Sequence, residues 1–452
     1  MFLRTVKSDG LAHLSYVFGD KGKAVVIDPR RDCEIYVRIA QREGARITNI
    51  FETHRNEDYI IGSLELKEMT GAEIHHGKEL PFAYGSPVDE GDIFRIGDIL
   101  LTVLKTPGHT YESISLVLSD TGFGPDAIGV FTGDALFIGD VGRTDFIQGE
   151  DLLYDSLFSK ILPLGDQAIL YPAHGRGSVC GAGLASREFS TLGYERRHNP
   201  ILKLKNREEF IRVKQSERHE SPPYFKKMEE LNLNGAPILG FLPRPKSIQP
   251  EEFASAMEEG MLPIDVREPE AFAGAHVPGS FSLPLDMIAS YAGWFLDYDR
   301  DIGLVADTIQ AVEEAVRQLI RIGYDRIQAY LAGGLHKWEA TGLPHNSTNV
   351  LSPQTIRDRI ESGKEWNLVD VRKEEEYESG HPRGAIHIPL GLLPDKIDRL
   401  DKDQTIATFC GSGRRAMIAS SILEREGFQK TESFLGALGK CREIGCPMVS
   451  NE

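Results

Sequence analysis

The stretch ETHRNEDY (52–59) decides how the first part of this 452-residue chain is interpreted, because a histidine and acidic residues directly follow an apolar run. Three more polar segments also follow apolar runs: KTPGHTYES (105–113), FTGDALFIGDVGRTDF (131–146) and YPAHG (171–175). Side chains at strand ends can converge on one edge of a sheet. Because β-branched runs alternate here with helical patterns, the first 200 residues are predicted to form an α/β domain with one polar edge.

Composition excludes several classes of function. The chain has 51 Lys and Arg against 68 Asp and Glu, a net charge of −17. Such an acidic chain without a basic run lacks the charge pattern of a nucleic-acid binder. No stretch approaches the roughly 18 consecutive apolar residues that span a membrane, and the N-terminus has no apolar export segment. Five cysteines in this length do not make a disulfide framework, so we expect a cytoplasmic protein without nucleic-acid or membrane partners.

The C-terminal half contains an internal repeat. The segment LPIDVREPEAFAGAHVPGSFSLPL (262–285) matches NLVDVRKEEEYESGHPRGAIHIPL (367–390), with Asp265 and Asp370 separated by 370 − 265 = 105 positions. A period this long indicates two copies of one small domain rather than a solenoid. Six prolines between positions 222 and 250 mark a linker before the repeat. We therefore predict three domains: 1–245, including the linker, then 246–347 and 348–452.

The order and spacing of the four polar segments resemble the metallo-β-lactamase superfamily, an αββα sandwich, over about residues 1–200. The segment GDALFIGDVGRTDF (133–146) most resembles its persulfide dioxygenases, an iron-dependent branch linked to glutathione. The resemblance implies one Fe(II) per chain, held by His54, His109 and Asp134. Two histidines and one carboxylate leave positions open for O₂ and a thiolate. Zinc, or no metal at all, is the alternative.

The first motif departs from the superfamily pattern H-x-H-x-D-H. Asn56 and Tyr59 stand where the second and last histidines are expected. A dinuclear hydrolytic site needs both imidazoles, so we expect two-zinc hydrolysis to be crippled. Asp58 and His174 would lie at the emptied second position. We interpret these four residues as groups that orient the ligands, a role whose loss typically costs about 10–100-fold in affinity or activity.

The thiol substrate needs an anchor for its negative charge. Arg143, in GRTDF, and Arg196, in ERRHNP (195–200), resemble the thiol-binding parts of the persulfide dioxygenases. A guanidinium group offers a fork that matches a carboxylate or a phosphate. We therefore predict that Arg143 and Arg196 bind substrate.

The second repeat carries a cysteine loop, FCGSGRRA (409–416), after a strand-like run. A cysteine before a Gly-rich turn into a helix receives backbone N–H groups, which stabilise a thiolate or a bound anion. The C-x-x-G-x-R spacing, with DVRKEEEYESGH (370–381) upstream, resembles the rhodanese sulfurtransferases. This resemblance implies that Cys410 carries the persulfide and that Arg415 assists it. Four further residues would form the anion cradle: Gly411, Ser412, Gly413 and Arg414.

The first repeat keeps the same frame but contains no cysteine. Its alignment places Ala306 opposite Cys410, so this copy cannot supply a thiol nucleophile. We interpret it as an inactive scaffold that positions its neighbours. Cys441 and Cys446 replace residues of the usual family ending, and their role stays open.

Together the resemblances imply a persulfide dioxygenase fused to an inactive and an active rhodanese domain, acting in sulfide detoxification. Its partners would be glutathione or coenzyme A persulfide, O₂ and sulfite, and its products sulfite and then thiosulfate. A homo-oligomer, dimer or tetramer, is expected at the family level. Two alternatives stay open: a glyoxalase II-type thioester hydrolase, and a metal-free sulfur-trafficking protein that uses only Cys410.

Overall fold

The computed structural model describes residues 1–178, 183–363, 367–436 and 438–450. The chain divides into two units. The first is Met1–Leu242 with Ile320–Gly323, and the second is Pro243–Leu319 with the described residues from Tyr324 onward. Within these ranges, no helix combines the length and the apolar character needed to cross a membrane.

Two β-sheets form the framework of the first unit. The six-stranded sheet has the order β1-β2-β3-β4-β5-β6, and the five-stranded sheet has the order β11-β10-β9-β8-β7. The strands of the first sheet are β1 (Phe2–Ser8), β2 (His13–Asp20), β3 (Lys23–Ile27), β4 (Arg46–Phe51), β5 (Glu73–Gly77) and β6 (Ser86–Val88). Those of the second are β7 (Ile93–Ile96), β8 (Ile99–Lys105), β9 (Ile114–Asp120), β10 (Ala127–Gly133) and β11 (Ile169–Pro172).

Helices cover the outer faces of both sheets. They are α1 (Glu34–Arg42), α2 (Ser63–Thr70), α3 (Glu150–Asp155), α4 (Leu192–His198), α5 (Arg207–Ser216) and α6 (Phe225–Asn234). The inner faces pack through alternating apolar residues, and the rings of Phe18 and Phe131 stack between the sheets. On the outer faces, Tyr36 of α1 and Leu153 of α3 join separate cores against the two sheets. The predicted αββα sandwich is confirmed.

The second unit contains two parallel sheets of identical topology. The first repeat has the strand order β12-β16-β15-β13-β14, and the second has β17-β22-β21-β18-β20. The first five strands are β12 (Lys246–Ile248), β13 (Leu262–Asp265), β14 (Phe281–Ser282), β15 (Ile302–Val305) and β16 (Ile327–Leu331). Those of the second sheet are β17 (Asn349–Val350), β18 (Asn367–Asp370), β20 (Ile386–His387), β21 (Ile406–Phe409) and β22 (Thr431–Ser433). Two further strands, β19 (His381–Pro382) and β23 (Met448–Val449), pair with each other in a small antiparallel sheet. The shared strand order shows that the sequence repeat is also a structural repeat.

Helices connect the strands of both repeats. Those of the first repeat are α7 (Pro250–Glu258), α8 (Pro269–Gly274), α9 (Ile288–Phe295), α10 (Ile309–Arg321) and α11 (Gly334–Ala340). Those of the second are α12 (Pro353–Ser362), α13 (Glu374–Glu378), α14 (Leu393–Lys396), α15 (Arg414–Arg425) and α16 (Leu438–Glu443). Helical crossovers between parallel strands bury both faces of each sheet, and this explains the apolar runs of the strands. The predicted rhodanese-like α/β architecture is therefore confirmed.

The structure joins Cys441 and Cys446 in a disulfide, which the sequence analysis did not anticipate. The chain turns back after α16 at Gly445, where φ is +77°, and the N–H of Cys446 donates to the carbonyl of Cys441. This turn brings the two Cα atoms to 5.3 Å, within the range that a disulfide spans. Cys33 and Cys410 are free and buried, and Cys180 lies outside the described residues.

A buried ion pair stabilises each repeat at the end of its second strand. The Asp370 carboxylate accepts hydrogen bonds from the backbone N–H and from Nε and Nη2 of Arg372. Asp265 and Arg267 form the same pair in the first repeat. Removing one partner of a buried pair leaves an uncompensated charge inside the protein.

We expect Asp370→Ala to lower the free energy of unfolding by about 3–5 kcal/mol, because it leaves the buried Arg372 guanidinium without its carboxylate. Lys440→Ala is the matched control, because it removes an exposed pair with Glu443 in the same repeat. Urea unfolding followed by circular dichroism compares the two variants. Equal midpoints for both would contradict the prediction.

Candidate metal centre and cysteine loop

Three predicted ligands meet at one edge of the sandwich. His54 lies just beyond β4, His109 just beyond β8, and Asp134 directly follows β10. The Asp134 Oδ2 atom lies 3.8 Å from Nε2 of His54 and 3.7 Å from Nε2 of His109. The three ligand atoms lie within 4.8 Å of one another, and all three side chains are buried. The structure therefore brings together the triad that the sequence predicts.

Hydrogen bonds on the far side of each imidazole fix its orientation. His54 Nδ1 donates to the Thr53 hydroxyl, which in turn donates to a carboxylate oxygen of Asp28 at 2.7 Å. His109 Nδ1 lies 2.9 Å from the carbonyl oxygen of Arg143 and donates to it. Because each Nδ1 is used in this way, each Nε2 is turned toward the triad.

The triad has the chemistry of a metal site. The Nε2 atoms of His54 and His109 are buried and have no hydrogen-bond partner among the described residues. Ligand atoms about 2.1 Å from a shared ion lie about 3.0–3.4 Å apart, so the two distances to Asp134 Oδ2, 3.8 and 3.7 Å, need to shorten by only a few tenths of an ångström. Two imidazoles and one carboxylate form a donor set for a divalent transition metal. The residues present therefore fit a metal-binding triad.

Electrostatics favours the protonation states that a metal requires at two of the three ligands. Burial lowers the pKa of His54 to about 4, so this imidazole is neutral at pH 7. Burial opposes the charge of Asp134, but His174 and His54 hold its pKa well below the usual range. At His109 burial also opposes charge, yet Glu57 and Asp134 raise the pKa to about 9. Metal binding at neutral pH would therefore release a proton from His109.

Two of the four predicted orienting residues form a chain with the triad. His174 Nδ1 lies 2.8 Å from Oδ1 of Asp134, and His174 Nε2 lies 3.1 Å from Oδ2 of Asp58. The Asn56 amide instead donates to the backbone carbonyl of His54. Asp58 and His174 thus reach the triad through Asp134, whereas Asn56 acts on the loop that carries His54.

Tyr59 contacts a residue that the sequence analysis missed. Its ring packs against the ring of His13, at a centroid distance of 4.1 Å, and both side chains are buried. His13 lies at the start of β2, far from the motif in sequence, so no spacing pattern indicated it. Glu57 was also missed, although it lies inside the motif, because the superfamily pattern leaves its position unspecified. Its Oε1 atom lies 3.2 Å from Nε2 of His109.

The two arginines predicted to bind substrate have protein partners. Arg143 is fully buried, and its guanidinium pairs with Asp145 through two hydrogen bonds of 2.7 and 2.6 Å. Arg196 lies on α4, donates to the carbonyl of Leu162 and approaches Asp166. Substrate binding by either arginine stays a prediction.

A cavity of about 710 Å³ lies beside the orienting residues. His13 and His174 form part of its wall, together with Tyr16 and Tyr171, and Arg176 supplies a positive charge. Its size falls within the range of small-molecule sites. None of the three triad residues lines the cavity, and His174, which contacts Asp134, lies between the cavity and the triad.

The cysteine loop of the second repeat has the geometry of an anion site. Cys410 directly follows β21 and is buried, and the N–H of Gly413 donates to its Sγ atom at 3.0 Å. Gly413 has φ +92° and directly precedes the 12-residue helix α15. A Cβ atom there would lie 2.6 Å from the Cα atom of Leu435, so only glycine fits. Gly411 and Ser412 form the intervening turn, with Ser412 exposed.

Two arginines flank this loop and are held by acids. Arg415 donates to both oxygens of Glu376, at 2.6 and 2.8 Å. Burial opposes the charge of Arg415, but Glu376, Tyr291 and Cys410 raise its pKa above the usual value. Arg415 thus lies within electrostatic reach of Cys410, and its assisting role in sulfur transfer stays a prediction.

The first repeat contributes directly to this region. Arg414 pairs with Asp286 and Glu268, both from the first repeat, at 2.6 and 3.0 Å. The backbone N–H of Ser282 donates to the Ser421 hydroxyl of α15. At the position that corresponds to Cys410, Ala306 follows β15 and is buried. The two repeats therefore share an interface along α15.

Comparisons with known proteins agree with this architecture. The metallo-beta-lactamase superfamily matches residues 8–174, and the rhodanese-like domain matches residues 249–341 and 352–437. The mitochondrial persulfide dioxygenase ETHE1 of Bos taurus is 33% identical over 208 residues, covering 44% of this chain and 74% of the relative. The hydroxyacylglutathione hydrolase GloC of Haemophilus influenzae is 28% identical over 215 residues, covering 42% of this chain and 93% of the relative.

One solved structure resembles the chain over most of its length. It is a metallo-beta-lactamase from Staphylococcus aureus, with a TM-score of 0.66 and 32% sequence identity. The similarity covers 74% of this chain and 98% of that structure.

Proposed function

The chain belongs to the family of persulfide dioxygenase–rhodanese fusions, and we propose that it oxidises a low-molecular-weight thiol persulfide with O₂ at one Fe(II) to give sulfite. We further propose that Cys410 transfers a second sulfane sulfur to that sulfite, forming thiosulfate. Homology places the chain among the enzymes of sulfur metabolism. The observation that carries the proposal is the pair of buried imidazole Nε2 atoms that face the Asp134 carboxylate without hydrogen-bond partners in the described structure.

The oxidation balances as RSSH + O₂ + H₂O → RSH + SO₃²⁻ + 2 H⁺, with four electrons passing from the terminal sulfur to O₂. Bound Fe(II) would supply the activation of O₂ next to that sulfur. The protein holds the ligands: Thr53 and the Arg143 carbonyl orient the imidazoles, and His174 orients Asp134. Burial of these groups excludes bulk water from the reacting sulfur.

The cavity beside His174 is the place that we assign to the thiol carrier. Glutathione and coenzyme A persulfides both carry negative charge, and Arg176 in the cavity wall can pair with it. A carrier bound there would lie one side chain, His174, away from Asp134 of the triad.

Sulfur transfer uses the cysteine loop in two steps. The Cys410 thiolate attacks the terminal sulfur of RSSH, which forms a new S–S bond at Cys410 and releases RSH. Sulfite then attacks that sulfur, which breaks the new bond, releases thiosulfate and regenerates the thiolate. The N–H of Gly413 and the positive end of α15 stabilise the sulfur anion in both steps. Fusion keeps sulfite at a high effective concentration near its acceptor site.

The inactive repeat is proposed to hold this loop in place. We expect the double change Glu268→Gln and Asp286→Asn to slow sulfur transfer about 5-fold, because Arg414 loses positioning worth about 1 kcal/mol. Persulfide-dependent O₂ uptake should be unchanged. Glu270→Gln, which removes an exposed acid in the first turn of α8, two residues after Glu268, is the control. Steady-state assays of both reactions measure the effect. A wild-type rate of sulfur transfer in the double variant would contradict the proposal that the first repeat positions the cysteine loop.

Iron and O₂ stoichiometry test the proposal as a whole. Protein purified without added metal should contain one iron per chain and should consume O₂ with glutathione or coenzyme A persulfide. With excess persulfide the product should be thiosulfate. Stoichiometric iron without O₂ uptake on either persulfide would contradict the oxygenase.

The similarity to GloC keeps a thioester hydrolase as the second candidate. Asn56 and Tyr59 remove two imidazoles that a dinuclear site would use, so we expect this activity to be absent. Two zinc ions per chain together with thioester hydrolysis would support the hydrolase instead. Protein without metal that still transfers sulfur through Cys410 would support the sulfur-trafficking alternative.

A further inference from the structure

A buried amide from α6 holds the backbone of the first motif. Asn232 lies near the C-terminal end of α6, beyond the residues 8–174 that match the superfamily, and its side chain is buried. Its Nδ2 atom donates to the carbonyls of Asn56 and Tyr59, at 2.7 Å each. Its Oδ1 atom accepts from the N–H of Ile61 at 2.9 Å. Both donors of this amide are therefore used on the loop that follows His54.

Asn232 reaches His54 through one intermediate residue. Asn56, whose carbonyl accepts from Asn232, donates its own side-chain amide to the His54 carbonyl at 3.2 Å. On the same face of α6, three residues before Asn232, a Glu229 carboxylate oxygen lies 3.3 Å from the Arg55 guanidinium. One face of α6 therefore holds the two residues that directly follow His54.

Asn232 reaches Asp134 through the second half of the same loop. Asp58 lies between the two residues whose carbonyls accept from Asn232. Its Oδ2 atom lies 3.1 Å from Nε2 of His174, whose Nδ1 atom lies 2.8 Å from Oδ1 of Asp134. Two of the three triad residues thus depend on loop positions that this one amide fixes.

The loop needs these bonds because its motif lacks two imidazoles. A dinuclear site would hold the loop through metal–imidazole bonds at the second and last histidines, where this chain has Asn56 and Tyr59. The carbonyls of these same two residues accept from Asn232. We propose that Asn232 is a positioning residue, which fixes the motif loop in place of those bonds and so arranges His54 and Asp134 before the metal binds. This inference rests on the proposed function, because it concerns the same metal.

Loss of the amide should weaken metal binding although every triad residue is retained. When only a fraction of molecules has the competent loop, the apparent dissociation constant rises by the inverse of that fraction. Asn232→Ala removes all three bonds, and Asn232→Asp removes both donors at nearly the same volume. Co(II) is the probe, and its affinity is measured anaerobically by competition with a chelator. We expect both variants to lose about 10-fold in affinity, the lower end of what ligand-orienting groups contribute.

Asn199→Ala is the matched control for a general loss of stability. Asn199 is also fully buried in the first unit, and its amide donates to the carbonyl of Asp140 and to the carboxylate of Glu195 rather than to the motif loop. Its midpoint of urea unfolding should fall by an amount similar to that of Asn232→Ala, because each change removes a buried amide with its hydrogen bonds. Its Co(II) affinity should stay that of the wild type.

Hydrogen exchange of the metal-free protein tests the loop directly. Peptides that cover residues 54–61 should exchange at least about 10-fold faster in both Asn232 variants, because the loop opens locally. Exchange elsewhere in the first unit should stay at the wild-type rate, and Asn199→Ala should leave residues 54–61 unchanged. Asn232→Asp keeps the bond from Ile61, so this variant carries the test if the alanine variant does not fold.

Three results would overturn the positioning role of Asn232. They are Co(II) affinities within about 3-fold of wild type in both Asn232 variants, an equal loss of affinity in Asn199→Ala, and faster exchange spread over the whole first unit. Affinity and exchange do not depend on oxygen chemistry. Wild-type protein that binds Co(II) normally but takes up no O₂ when loaded with iron would therefore overturn the proposed function alone.

Discussion

Replacing His109 with alanine is expected to remove the metal and to abolish persulfide-dependent O₂ uptake. The change deletes one of the two imidazoles whose Nε2 atoms face Asp134 within a buried site. Changes in groups that only orient a ligand already cost about 10–100-fold, so the loss of a ligand should exceed the upper end of that range. Iron should fall to about one tenth of an equivalent per chain or less.

Sulfur transfer provides the internal control for this variant. Because Cys410 lies in the second unit, transfer from thiosulfate or persulfide should keep its wild-type rate in His109→Ala. His336→Ala, which removes an exposed histidine, should alter neither activity. Iron analysis and an oxygen electrode measure the outcome. A His109→Ala protein that retains both iron and O₂ uptake would show that the metal is held elsewhere.

Cys410→Ser should separate the two halves of the reaction. The hydroxyl cannot accept and release a sulfane sulfur, so sulfur transfer should fall on the order of 10³-fold or more. O₂ uptake should persist, and the product should change from thiosulfate to sulfite. The shape of the loop should be unaffected, since serine occupies nearly the same volume.

Cys33→Ser is the matched control for this substitution. Cys33 is also a free, buried cysteine, and its Sγ atom donates to the carbonyl of Gly62, a contact that a hydroxyl can maintain. Chromatographic analysis of sulfite and thiosulfate distinguishes the variants. If Cys410→Ser still produced thiosulfate at the wild-type rate, another group would carry the sulfur.

Part of the candidate site could be predicted from the sequence, since strand-end positions indicated a polar edge and the resemblance to the persulfide dioxygenases indicated which residues would bind the metal. His54, His109 and Asp134 each follow an apolar run, and strand ends meet at a common edge once the sheets form. The same logic placed Cys410 between a strand and a helix. The acidic partners of Arg143 and Arg414 could not be predicted, because the local sequence does not show which carboxylate a guanidinium contacts. Asp286 and Arg414 are 128 positions apart and contact only because the two repeats pack along α15.

The amino-acid sequence by itself determined the sandwich, the duplicated domain and the identity of the three triad residues. The α/β pattern follows from local periodicity and the duplicated domain from the internal repeat, whereas the sandwich and the triad are what the resemblance to the metallo-β-lactamase superfamily implies. Only the tertiary structure decided that Glu57 faces His109, that Tyr59 packs on His13 and that Cys441 reaches Cys446. Such contacts depend on the direction of a side chain in a folded loop. That direction is set by distant hydrogen bonds, such as those from Asn232, rather than by neighbours in the chain.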